Sequence, residues 1–249
     1  MIRYDDFGKW FGEIAAVGRL HLSVPAGDTV ALIGPNGSGK TTTLKALMGL
    51  VRPSSGRITV NGFDAAGGPE ARARLGYLPQ RITFPEGATA RGVLAFHARL
   101  RGADPATIEA LLQRVGLVEA GDRVVDGFSG GMRQRLGLAA ALLGEPAALV
   151  LDEPSAALDP TGALMVRDII QGIRAEGTTV LLSSHDLAEV AALADRIGVF
   201  VSGSMVAFGT LAELEALAGC RGIESVYRAL TGAVPAGCRL VPGCSTVAA

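Results

Sequence analysis

The chain has 249 residues, 49% of them apolar, which is enough for one large packed domain or two small ones. A net charge of −1 excludes the broad basic surface that nucleic acid calls for. The longest stretch without a charge, residues 197–212, is short and broken by glycines, so no membrane span is expected, and the start MIRYDDFGKW has acids where a secretory leader needs an apolar core, so the chain is expected to stay in the cytosol.

In chain order, Leu20–Val24 and Thr29–Ile33 read as strands separated by the turn PAGD. The second strand runs into Gly34-Pro35-Asn36-Gly37-Ser38-Gly39-Lys40-Thr41-Thr42, and a helical pattern follows from Gly39 to Leu50, where RPSSG breaks it. A glycine-rich loop between a strand and a helix lets backbone N–H groups curl round a β-phosphate. The Lys40 ammonium then reaches the β- and γ-phosphates and the Thr41 hydroxyl binds Mg²⁺. Of the 23 basic residues only three are lysines, and two of these, Lys40 and Lys45, lie in or just after this loop. Where arginine is used almost everywhere else, a retained lysine marks a site that needs a compact ammonium.

Arg57–Val60 and Leu75–Leu78 read as strands, the latter ending at Pro79-Gln80, whose carboxamide is placed to reach a metal or water. Thr89–Gly102, Pro105–Val115 and Ser129–Leu143 are helical in period with no strand between them, as expected of a helical subdomain inserted at about residues 85–145. Ala148–Leu151 is an apolar strand ending in Asp152-Glu153. Two carboxylates at the end of a buried strand point to opposite sides and take different work: Asp152 on Mg²⁺, Glu153 on the attacking water. A helix from Pro160 to about Glu176 leads to the strand Thr178–Ser183, then Ser184 and His185, again at a carboxyl end, from where the imidazole reaches a γ-phosphate or positions the water and the carboxylate. His21 and His97 read as structural. The chain closes with a hairpin over Ile197–Phe208, helices near Leu211–Leu217 and Glu224–Leu230, and a Gly/Pro/Ser-rich tail over 233–249 expected to be poorly ordered. Cys220, Cys238 and Cys244 have no metal-ligand spacing and read as reduced thiols.

Ser129-Gly130-Gly131 opens the third helix of the insert, and a helix start with unpaired N–H groups is an anion site. The helix that follows is about 20 Å long, which carries this start away from the chain's own phosphate loop. A two-fold dimer in which each Ser129-Gly130-Gly131 faces the other copy's nucleotide resolves the distance.

These residues together resemble the ATP-binding subunits of ABC transporters, over nearly all of residues 2–232. GPNGSGKTT is similar to the Walker A motif, Gln80 in GYLPQ to the Q-loop, FSGGMRQRL to the family signature, ALVLDEP to Walker B, the segment 155–159 to the D-loop, and SSHDLAEV to the switch-histidine region. The signature has Phe128 and Met132, and the D-loop has Ala157, where other residues are commoner; no catalytic group is lost. The resemblance implies an α/β fold: a P-loop NTPase core with a mainly parallel sheet, an N-terminal antiparallel β region and the inserted helical subdomain. It implies ATP and Mg²⁺ as ligands, a second ATPase subunit contacted by Ser129, Gly130, Gly131 and Asp159, and Phe11 in KWFG as the ring that stacks on adenine. It also implies an integral membrane permease as partner and a place at the cytoplasmic face of the cell membrane. FPEGATARGVLAFHARLRG and ESVYRALTG look more like exporter ATPases paired with ABC-2 permeases, including those of nitrous oxide reductase maturation. Two other readings stay open: a soluble ABC-type ATPase such as an iron–sulfur assembly component, and a GTPase or small-molecule kinase, against which the lack of an Asn-Lys-x-Asp motif counts.

Overall fold

The computed structural model describes residues 1–232; the tail 233–249, with Cys238 and Cys244, lies outside the described residues. Two sheets and nine α-helices are found among the described residues. The first sheet is antiparallel, in the order β2 (Ile14–Val24), β1 (Ile2–Phe11), β4 (Ser55–Val60), β5 (Phe63–Asp64). The second has six strands in the order β10 (Ser204–Gly209), β9 (Arg196–Val201), β3 (Thr29–Ile33), β8 (Thr179–Ser183), β7 (Ala148–Asp152), β6 (Leu75–Leu78), all parallel except the β9–β10 hairpin.

The central strands β3, β7 and β8 are buried along their whole length, as expected of parallel strands covered on both faces. Their alternate residues divide between two cores. Ala31, Ile33, Leu149, Leu151, Val180 and Leu182 face the helical side, whereas Val30, Leu32, Ala148, Val150 and Leu181 join Ile2, Tyr4, Phe7, Leu44 and Leu47 under the antiparallel sheet. Helix α1 (Lys40–Leu47) fills this second core and stops at Leu47 rather than Leu50, because Gly49 turns the chain into the left-handed region at φ 68°. Helix α2 (Pro69–Ala73), short and opened by proline, precedes β6.

The helical insert lies between β6 and β7, as expected: α3 (Ala90–Arg101), capped by the Thr89 side chain, α4 (Thr107–Arg114), two 3₁₀ turns, and α5 (Gly130–Leu142). Helix α5 descends onto the sheet so closely that a Cβ on Gly76 would sit 2.1 Å from the Ala141 carbonyl oxygen. Only glycine admits that approach. Helix α6 (Pro160–Ala175) starts at an Asp159 N-cap, α7 (Leu187–Leu193) at an Asp186 N-cap, α8 (Leu211–Ala218) at a Thr210–Glu213 capping box, and α9 (Ile223–Thr231) ends the described chain. His21 is exposed beside Asp6, and His97 is half-buried in α3 with its pKa lowered by burial and then by Arg101. Cys220 packs against the larger core.

Candidate active site

Three parallel strands end side by side. Leu32 of β3 pairs with Ser183 of β8, and Ser183 pairs with Asp152 of β7. Whatever follows these strands is therefore gathered at one edge, the place where open α/β sheets bind ligands.

Behind β3 the loop from Gly34 to Gly39 wraps round the start of α1. Gly39 has φ 108°, and a Cβ there would meet the Ala16 carbonyl oxygen at 2.6 Å, so the turn requires glycine. Lys40 is only 5% exposed; its Nζ donates to the carbonyls of Gly34 (2.7 Å) and Pro35 (3.2 Å), which holds the ammonium inside the curl of the loop. Burial lowers its pKa, against the carboxylates of Glu153 and Asp152, which raise it. The Ser38 hydroxyl is buried and finds no hydrogen-bond partner among the described residues. Pro35, Asn36 and Gly37 form the exposed crest of the loop, and Thr41 and Thr42 lie half-buried in the first turn of α1.

Asp152 is fully buried. Its Oδ1 accepts from the Thr41 hydroxyl at 2.9 Å and the Ser183 hydroxyl at 2.7 Å, while its Oδ2 has no partner among the described residues. The neighbouring Tyr77 hydroxyl, also without a partner there, has its pKa pushed up to about 12 by burial first and by Asp152 second. Glu153 turns the other way, with φ 54°, and its backbone N–H donates to both the Ser183 carbonyl and hydroxyl oxygens. The Glu153 Oε2 receives the His185 backbone N–H at 3.3 Å and lies 2.5 Å from His185 Nδ1. Sequence reasoning named Lys40, Thr41, Asp152, Glu153 and His185 as one site, and the structure brings them together. It missed Ser183, whose hydroxyl links Asp152 to the Glu153 backbone; the run Ser183-Ser184 before His185 was the available signal.

Ser129, Gly130 and Gly131 sit elsewhere. The Ser129 hydroxyl accepts from the Met132 N–H at 3.2 Å as the N-cap of α5, and Ser129 and Gly130 are exposed. Gly130 and Gly131 lie over Leu158 and Gly162, where added Cβ atoms would come to 3.7 and 3.8 Å. Asp159, which caps Gly162 N–H, is thus in the same neighbourhood; of the four residues assigned to a second subunit, Ser129, Gly130 and Asp159 are exposed and Gly131 is half-buried. Phe11 ends β1, 51% exposed, with the Lys9 ammonium 4.8 Å from the centre of its ring. Gln80 is exposed two residues past β6.

The sequence profile of the ABC transporter family matches residues 17–156. The chain is 42% identical to the daunorubicin resistance ATP-binding protein DrrA3 of Streptomyces coeruleorubidus, over 91% of this chain and 73% of that protein. To the lantibiotic transport ATP-binding protein SrtF of Streptococcus pyogenes it is 36% identical, over 83% of this chain and 89% of that one. Among solved structures, the ATP-binding subunit of an ABC transporter superposes with a TM-score of 0.85 at 31% identity, covering 92% of this chain and 99% of that chain. The chain therefore belongs to the ABC transporter family, as one of its ATP-binding ATPase subunits.

Proposed function

We propose that this chain hydrolyses ATP to drive a separately encoded export permease, with residues 1–232 acting as one ATPase domain and the helical insert, about 85–145, as the part that receives the permease at the cytoplasmic face of the membrane. The observation that carries the reading is the divided labour of the strand-end carboxylates, Asp152 aimed at Thr41 and Glu153 at His185. No helix among the described residues is long and apolar enough to cross a membrane. Relatives at 36–42% identity carry names of drug resistance and lantibiotic transport, which favours a transporter over a soluble iron–sulfur assembly ATPase.

The donor set suits Mg²⁺: a buried carboxylate oxygen with no partner among the described residues, a hydroxyl beside it, and the Gln80 amide on the neighbouring loop are hard oxygen ligands. When bound, Mg²⁺ neutralises charge on the phosphates. Lys40 would trade its loop carbonyls for phosphate oxygens, and the loop N–H groups from Gly34 to Thr42 would hold the β-phosphate. Glu153 orients and takes a proton from the attacking water, and His185 holds the Glu153 carboxylate in place. Phe11 offers its exposed ring face to the adenine. Ser129, Gly130, Gly131 and Asp159 face the nucleotide of a second copy.

The test is the mass of purified Glu153→Gln with and without Mg-ATP. The expected result is an ATP-dependent shift from monomer to dimer, abolished by adding Ser129→Arg. A protein that stays monomeric while the unmodified chain hydrolyses ATP would end the sandwich reading.

A further inference from the structure

Glu189 is a carboxylate only 1% exposed, and the mechanism above makes no use of it. It stands at the third position of α7, where an acid after an Asp186 N-cap would ordinarily turn back to the cap's own N–H. It does not. One oxygen accepts from the Ser155 hydroxyl and the other from the Ser184 hydroxyl, each at 2.5 Å.

The two serines belong to different loops with different work. Ser155 lies in the segment that runs from Glu153 to Asp159, the end of which caps α6 on the exposed surface beside Gly130 and Gly131. Ser184 follows β8, donates its N–H to the Leu32 carbonyl at the mouth of the phosphate loop, and is the residue before His185. Helix α7 is held in turn by Asp186, whose carboxylate caps Ala188 and Glu189 and whose N–H donates to the Ser184 hydroxyl. A cavity of about 480 Å³ opens along this junction, lined among others by Ser155, Leu158, Arg167, His185 and Glu189. The segment 155–158 therefore borders open space, and the Glu189 carboxylate is what ties it to the switch loop.

We infer that Glu189 is a positioning residue that couples the loop bearing Asp159 to the His185–Glu153 pair through Ser155 and Ser184. Movement of Asp159 by a second subunit is passed to Ser155, across the Glu189 carboxylate to Ser184, and so to His185. This rests on the proposed hydrolysis at Glu153 and adds to it the part that senses the partner.

The test measures ATP hydrolysis by the full chain as unmodified protein, Glu153→Gln, Glu189→Gln, Ser155→Ala, and the double variant Glu189→Gln/Ser155→Ala. Glutamine keeps the size of Glu189 but its amide has only one oxygen to accept from two hydroxyls. A misplaced catalytic pair lowers kcat by about ten- to a hundredfold, so Glu189→Gln and Ser155→Ala should each do so, with KM for ATP within about twofold and the melting temperature near that of the unmodified chain. Because the two act through one contact, the double variant should be no slower than the worse single one. Glu189→Asp, a shorter carboxylate that keeps two acceptor oxygens, should recover part of the rate. Unchanged kcat in Ser155→Ala, multiplicative losses in the double variant, or losses that track melting temperature would overturn the coupling. If Glu153→Gln hydrolyses ATP at the unmodified rate, the catalytic reading itself falls; if it is inactive while Glu189→Gln hydrolyses ATP at the unmodified rate, only the coupling falls.

Discussion

The Thr41 hydroxyl donates to Asp152 Oδ1 across 2.9 Å, joining the first turn of α1 to the end of β7. The opposite oxygen of the same carboxylate is buried and has no partner among the described residues. A buried charge left half satisfied is costly unless something positive completes it. Asp152→Asn keeps an oxygen for Thr41 and Ser183, so stability should change by only about 1 kcal/mol. Mg²⁺-dependent hydrolysis should fall roughly a hundredfold or more, as when a fixed electrostatic group is removed. Thermal melting beside an Mg²⁺ titration of activity checks both; a variant with an unchanged Mg²⁺ dependence would remove Asp152 from the metal site.

Phe11 is about half exposed, with Lys9 over one face of its ring. If adenine stacks there, Phe11→Ala gives up about 1–2 kcal/mol of binding, which appears as a higher KM for ATP at unaltered kcat. Phe11→Tyr should behave as the unmodified protein. A kcat effect without a KM effect would place the ring elsewhere in the cycle.

The pKa of Glu189 is raised, chiefly by burial and further by Asp186, while Ser155, Ser184 and Arg167 oppose the rise. A carboxyl whose folded pKa exceeds its unfolded one favours the fold when protonated. Its contribution is full below the ordinary carboxylate pKa and is lost as pH climbs through the folded value. Glu189→Gln is neutral throughout and escapes that loss. The melting temperature of the variant relative to the unmodified chain should therefore be more favourable at pH 7.5 than at pH 4.5. An equal difference at both values would mean that the carboxyl titrates as if in water.

Much of the site was legible because it is local in sequence. The phosphate loop, the strand-end Asp152-Glu153 and His185 each carry their own context of an apolar run ended by polar groups. What escaped notice is spread across the chain. Strand β1 was missed because its buried residues, Ile2, Tyr4 and Phe7, break the two-residue alternation at a bulge where Asp6 has φ 51°. Helix α7 is short, and Asp186-Leu-Ala-Glu189 looked like part of the switch motif alone, although its spacing is that of a capping box. The Glu189 carboxylate left that box because two serine hydroxyls, one of them 34 residues away in sequence, surround it in a buried place. No periodicity reveals such a partner.

Gly76→Ala should test how the insert is joined to the sheet. A methyl group 2.1 Å from the Ala141 carbonyl oxygen must push α5 off β6, at about 1–3 kcal/mol as for other overpacked sites. The loss is expected in the melting temperature, and unaltered stability would show that the two elements separate freely.

That contact also gives the helix a fulcrum. Gly76 grips α5 near its carboxyl end, and Ser129 lies about 18 Å further along the helix axis at the usual rise per residue. A tilt of roughly ten degrees about the grip would carry the Ser129 end through about 3 Å, the length of one hydrogen bond, while the sheet below stays still. Helix α5 is in that sense a long arm on a short hinge, and small adjustments where the insert meets the strands are enlarged at the end where the serine and glycines lie.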